Sequence, residues 1–256
     1  MYFNRVWIKE NSKARLHGND RWNASAVTLI EMLILSGVTS ILSFSFIFSM
    51  LPSFYILDQM DMNDPTVFFS TFFTSYLGTM GILLIFTLFV GGILQVGCMG
   101  WFMRFTRGES PAVGTLFNGF KMYGKSLGTV LLTNLYVFLW SLLFFIPGIV
   151  KGYSYMLAPY LICDNPHLTP SQAIALSKKL TAGYKWDLFV MQLSFFGWLY
   201  LAALTPFSIL GYIYVFPYYY TSLAGSYLSL KQMALMEGRL SPADFGETEP
   251  VYTPGV

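Results

Sequence analysis

The sequence predicts an all-α, polytopic membrane protein: six transmembrane helices with interfacial amphipathic helices between them, both termini cytoplasmic. Three observations predict it. Of 256 residues, 55% are apolar and only 11% charged, less than half the roughly 25% charge of ordinary soluble domains. The charges are clustered, so long uncharged runs lie between them, and the mean hydropathy is +0.54. Lysine and arginine are confined to alternate segments, the pattern that orients helices in a bilayer.

A bilayer core about 30 Å thick takes roughly 20 apolar helical residues per crossing. The runs place the first helix at about residues 24–51 and the second at about 65–103, the latter long enough to tilt or extend past the interface. The third covers about 127–146, the fourth 148–163, the fifth 188–204 and the sixth 206–230. Residues 1–23 read as a basic amphipathic cytoplasmic segment, 24–236 as the membrane domain, and 237–256 as a flexible cytoplasmic tail rich in proline, glycine and acids. Asp64-Pro65, Ser110-Pro111, Thr169-Pro170 and Thr205-Pro206 each set a capping side chain before a proline, a helix-start signature. The first 24 residues are polar and basic, which argues against a cleavable signal peptide.

Orientation follows from the cations. Arg5, Lys9, Lys13, Arg15 and Arg21 precede the first helix, and Arg104, Arg107, Lys121 and Lys125 separate the second from the third. Lys178, Lys179 and Lys185 precede the fifth, and Lys231 and Arg239 follow the sixth. The segment with Asp58, Asp61 and Asp64 has no basic residue. Of the fifteen basic residues only Lys151 is out of place. A single crossing through 127–163 would carry Lys178, Lys179 and Lys185 outside, whereas a turn near Pro147-Gly148 keeps them in. The fourth crossing is then short, about 16 residues or roughly 24 Å, and it puts Lys151 near the outer surface.

The segments ARLHGNDRWNASAVTLI, FKMYGKSLGTVLLTNL and KKLTAGYKWDLFVMQL resemble one another. They suggest three units, each an interfacial helix followed by a hairpin. In the third, Ala173, Leu176, Leu180 and Tyr184 form one apolar stripe with Lys178, Lys179 and Lys185 largely off it, the pattern of a helix lying on anionic head groups. IPGIVKGYSYMLAPYLICDNP, AIALSKKLTAGYKWDLF, LSFFGWLYLAALTP and FPYYYTSLAGSYL, with the N-terminal KARLHGN, resemble an uncharacterised bacterial integral-membrane family catalogued as domain of unknown function 975. The resemblance implies a multi-pass membrane protein, found mainly in Gram-positive bacteria, and brings no activity and no functional residues.

Enzyme motifs are absent: there is no P-loop, HExxH or GxSxG, and the two cysteines, Cys98 and Cys163, lack zinc spacing. His17 and His167 sit in polar flanks. No cofactor, no metal and no nucleic acid is expected, and the chain reads as a non-enzyme. The candidate ligand or ion-pair residues are Lys151, Glu31, Tyr153, Tyr155 and Tyr160. Ionisable groups inside a bilayer mark functional sites by default. For Glu31 the plainer reading is a carboxylate near the interface that meets water or an interhelical donor. For Lys151 it is snorkelling, or pairing with Asp58, Asp61 or Asp64. The tyrosines, joined by Tyr212, Tyr214, Tyr218, Tyr219 and Tyr220, either line a cavity between helices kinked at Pro159 and Pro217 or pack a bundle. Gly91, Gly92, Gly97 and Gly100 permit close helix approach, and Gln95, Asn134 and Gln192 are expected to bond between helices. The expected function is a scaffold or accessory protein of the cell membrane, acting through membrane lipids or a membrane-protein partner. The alternative is a transporter or binding protein for a small molecule or lipid.

Overall fold

A computed structural model describes residues 3–17, 20–59, 66–204 and 208–247. Within them the protein is all-α, with no strand. Helix α1 (Arg5–Arg15) is capped by Asn4, whose side chain accepts from the Trp7 N–H. Then come α2 (Asp20–Gln59) and α3 (Thr66–Phe86), which runs through a π-helical turn (Thr87–Gly91) into α4 (Gly92–Thr106). A 3-10 turn (Val113–Phe117) and the one-turn α5 (Asn118–Lys121) lead to α6 (Tyr123–Leu143), α7 (Phe145–Tyr155) and α8 (Ala158–Asp164). The rest is α9 (Pro170–Leu180), α10 (Lys185–Leu204), α11 (Ser208–Leu210), a second π turn (Gly211–Val215), α12 (Phe216–Met236) and a 3-10 turn (Pro242–Phe245). A short helical element precedes each of α2, α6 and α10, the middle one being 3-10 and one-turn helix.

Among the described residues, three helical runs are long and apolar enough to cross a membrane: Asp20–Phe48, Phe72–Thr106 and Tyr123–Leu143. Helix α4 is central, and it is buried nearly all round because it is apolar nearly all round. Glycines allow its contacts. A β-carbon at Gly97 would overlap the Leu116 carbonyl oxygen, and one at Gly92 would meet Val130 at 2.6 Å. Trp101, Phe102, Phe105, Tyr160 and Tyr227 fill the core beside it. Helices α2 and α3 pair with each other and leave Ile41, Phe44, Ile47, Phe73 and Leu77 exposed. At 40 residues, α2 is about 60 Å long, twice the bilayer core.

Several expectations change. The fourth helix is two pieces: α7 begins after the extended Phe144, and a turn at Met156–Leu157 separates it from α8, where Pro159 occupies the first turn. Pro159 therefore follows a break instead of kinking a continuous helix. Thr169-Pro170 does start α9, through a full capping box with Gln172. Ser110-Pro111 does not start a helix, because the chain stays non-helical until Val113. The apolar stripe of α9 lies in the protein core, with Ala173, Leu176 and Leu180 buried against α6 and α8, so only its lysine face is outward. Gln95 is exposed, and Asn134 bonds its own helix at the Val130 carbonyl. Residues 237–247 fold back on the body instead of forming a loose tail: Phe245 is buried and Ser241 caps the last 3-10 turn. The Asp58 side chain, Asp61, Asp64-Pro65, Thr205-Pro206 and residues 248–256 lie outside the described residues.

Candidate functional site

Ser25, Thr28 and Glu31 recur every third residue and share one face of α2. That face meets the π turn ahead of α12. Pro217 creates the need there. It has no N–H, so the carbonyls four and five residues back, Ile213 and Tyr212, lack their helical donor, while the Phe216 N–H goes to Gly211. Helix α2 supplies replacements. Thr28 Oγ1 donates to the Tyr212 carbonyl at 2.6 Å, and Ser25 Oγ donates to the Ile213 carbonyl at 2.8 Å, sharing its hydrogen with its own Arg21 carbonyl. Both hydroxyls are buried. The kink expected at Pro217 is thereby taken up as a π turn docked on α2, and π turns gather at functional sites.

Glu31 follows on the same face and is 6% exposed. Its side chain faces the Cys98 thiol of α4 and the Tyr220 hydroxyl of α12, and no cation pairs with it among the described residues. The Tyr220 ring stacks on Phe102 at 5.3 Å and lies 5.6 Å from the Tyr219 ring. The Tyr219 hydroxyl accepts from Gln192 Nε2 at 3.2 Å, and Gln192 Oε1 accepts from the Tyr153 hydroxyl at 2.8 Å. Tyr153 on α7, Gln192 on α10 and Tyr219 on α12 are thus hydrogen-bonded in series, and Tyr220, the next residue along α12, faces Glu31. A buried carboxyl beside a thiol and a phenol can hold a small polar or cationic group away from bulk water.

The other sequence candidates fall outside this group. Tyr160 is fully buried, its ring stacks on Tyr227 at 5.5 Å, and its hydroxyl has no partner among the described residues. Tyr155 packs on Tyr136 at 6.0 Å. Lys151 lies over the Trp140 ring at 4.3 Å, close enough to Lys178 and Lys185 to feel their charge. The sequence expects Lys151 near the outer surface, and in the fold its helix α7 packs on α9 and α10, which carry Lys178 and Lys185. His17 and His167 are exposed, and no group of potential metal ligands occurs among the described residues.

Sequence reasoning missed a second polar centre, around Asp164 at the end of α8. Arg107 donates to Asp164 Oδ1 at 2.5 Å, and Lys231 Nζ and the Tyr227 hydroxyl donate to Oδ2 at 2.6 Å each. Lys231 also reaches Glu247 at 2.6 Å, under the Phe245 ring at 4.7 Å. Burial alone would raise the Asp164 pKa, but the Arg107 and Lys231 charges outweigh it and hold the carboxyl below its ordinary range. The centre clamps α4, α8, α12 and the segment 242–247 together. The signal available in the sequence was two opposite charges, Asp164 and Lys231, at the ends of apolar runs, but 67 residues separate them.

No curated protein and no solved structure matches the chain. Over residues 143–234, from the tip of the α6–α7 hairpin to the end of α12, the chain matches the family described as "Protein of unknown function (DUF975)", the same family that the motifs of this region resemble.

Proposed function

We propose that this chain is a multi-pass protein of the bacterial cell membrane that acts, without catalysing a reaction, through lipids or a membrane-protein partner. The observation that carries this reading is where the surface is apolar. Large side chains are exposed along α2, α3, the α6–α7 tip and α10, while ion pairs gather around Asp164, Lys231 and Arg239. Six membrane-embedded helical passes, with the fourth returning in two pieces, leave both termini on the cytoplasmic face. That parity holds however deeply the α6–α7 hairpin enters, because it enters and leaves on one side.

The test has two parts. With Cys98→Ala and Cys163→Ala, single cysteines at Lys13, Lys121 and Lys179 are expected to react with an impermeant maleimide only after the cells are opened; labelling of intact cells at any of them refutes the topology. Native mass spectrometry of the gently extracted protein is expected to retain a stoichiometric protein partner or lipid. A second reading, binding or transport of a small molecule, is favoured by the enclosed Glu31 with Cys98 and Tyr220. A small molecule retained by the natural chain and lost from Glu31→Gln would select it.

A further inference from the structure

Three lysines stand on three helices that pack together below the tip of the α6–α7 hairpin. Lys151 lies on α7, Lys178 on α9, and Lys185 is the first residue of α10. Packing builds their proximity in. Ser177 Oγ and Thr181 Oγ1 donate to the Ser154 carbonyl at 2.9 and 3.3 Å, tying α7 to the end of α9. The Tyr153 ring meets Phe189 at 5.8 Å, and its hydroxyl reaches Gln192, tying α7 to α10. Lys151 is one helical turn from Ser154, on the stretch of α7 that packs on α9 and α10, and the Trp140 ring holds it at 4.3 Å.

No carboxylate pairs with any of the three among the described residues. This contrasts with the Asp164 centre, where each cation has its anion. Like charges brought together repel, so the grouping is complete only with an anion between them. The surroundings indicate its source. Leu143, Phe144, Phe145 and Ile146 at the hairpin tip are 64–77% exposed, and they begin about two turns from Lys151. Trp186, next to Lys185, is 70% exposed, as suits a side chain at the head-group level.

We propose that Lys151, Lys178 and Lys185 bind the phosphate of an anionic phospholipid whose acyl chains lie along the exposed tip of the α6–α7 hairpin. The proposal rests on the membrane reading above. Each lysine near an anionic lipid surface contributes about fivefold in affinity, so removing two weakens binding roughly thirtyfold.

The test uses the full chain in phosphatidylcholine nanodiscs doped with phosphatidylglycerol, with retained lipid read by native mass spectrometry. The natural chain is expected to keep phosphatidylglycerol in preference to phosphatidylcholine. Lys151→Gln with Lys178→Gln loses that preference, whereas Lys13→Gln with Lys121→Gln, which removes the same charge from exposed sites elsewhere, keeps it. Unfolding midpoints check that the variants fold. If loss of the Trp140 contact unfolds the first pair, Lys178→Gln with Lys185→Gln takes its place. Equal retention by all variants overturns the proposal, as does equal loss from the control pair. Displacement of the lipid by inorganic phosphate assigns the site to a free anion and overturns the lipid source. A chain that does not enter nanodiscs, and is washed from membranes by alkaline carbonate, refutes the membrane reading itself.

Discussion

The contact between Thr28 and the π turn allows a test in which a proline and a hydroxyl on different helices must depend on each other. Thr28→Val keeps the side-chain shape and deletes the donor to the Tyr212 carbonyl, a bond of 2.6 Å in a buried setting. Hydrogen bonds between membrane helices average about 0.6 kcal/mol and reach about 1.7, and a buried carbonyl left unmet costs about 1–3 kcal/mol. The expected loss is therefore about 1–2 kcal/mol. For a chain of this size that lowers the unfolding midpoint by roughly 2–8 °C. Pro217→Ala restores an N–H able to reach Tyr212 or Ile213. In that background Thr28→Val should cost about 1 kcal/mol less. The assay is thermal unfolding of the four chains in one detergent, followed by intrinsic tryptophan fluorescence. If the two changes add within about 0.5 kcal/mol, Pro217 is not the reason that α2 donates to the π turn, and the account of this site fails.

Asp164→Ala leaves Lys231 buried beside a single remaining carboxylate, and loss of one partner from a buried ion pair costs about 3–5 kcal/mol; the midpoint of unfolding in detergent reads it. The same carboxyl sets an acid limit. Its folded pKa lies below the unfolded one, so its stabilisation is fully present above the ordinary carboxylate range, near pH 4, and disappears as pH falls through the lowered folded value. Midpoints measured from pH 7 downward should fall more steeply in that range for the natural chain than for Asp164→Asn, and parallel curves would refute the assignment. Two glycines should give opposite signs. Gly97→Ala drives a β-carbon into the Leu116 carbonyl and should prevent stable folding, whereas Gly124→Ala meets nothing within 4 Å and should be neutral or stabilising by up to about 1 kcal/mol. Yield and melting point of the two variants decide it.

Helix class, the long apolar runs, the Thr169-Pro170 start and the role of Gln192 as an interhelical link were legible because they depend on local composition, capping chemistry and periodicity. Glu31 could be singled out as a carboxyl within an apolar run, but Cys98 and Tyr220 could not be assigned to it, since they stand 67 and 189 positions further on and no local rule links such distances. Lys151 is visible in the sequence as the exception to the charge pattern, but the helices that pack beside it are not. The sequence supports a full return crossing, and only the packing of Ser154 on Ser177 and Thr181 brings α7 to the lysines of α9 and α10.

By itself, then, the sequence determines that this is an all-helical chain with apolar runs of membrane-spanning length and cations confined to alternate segments, because hydropathy and helix ends are properties of neighbouring residues. Tertiary structure decides what each polar group meets. It turns the prolines at 159 and 217 into a break and a π turn, places the α9 stripe in the core, and sets Glu247 on Lys231. It also gathers Glu31 with Cys98 and Tyr220, and Asp164 with Arg107 and Lys231. The physical reason is that burying a polar group demands a partner, and in a helical bundle that partner comes from whichever helix packs alongside, at any distance along the chain.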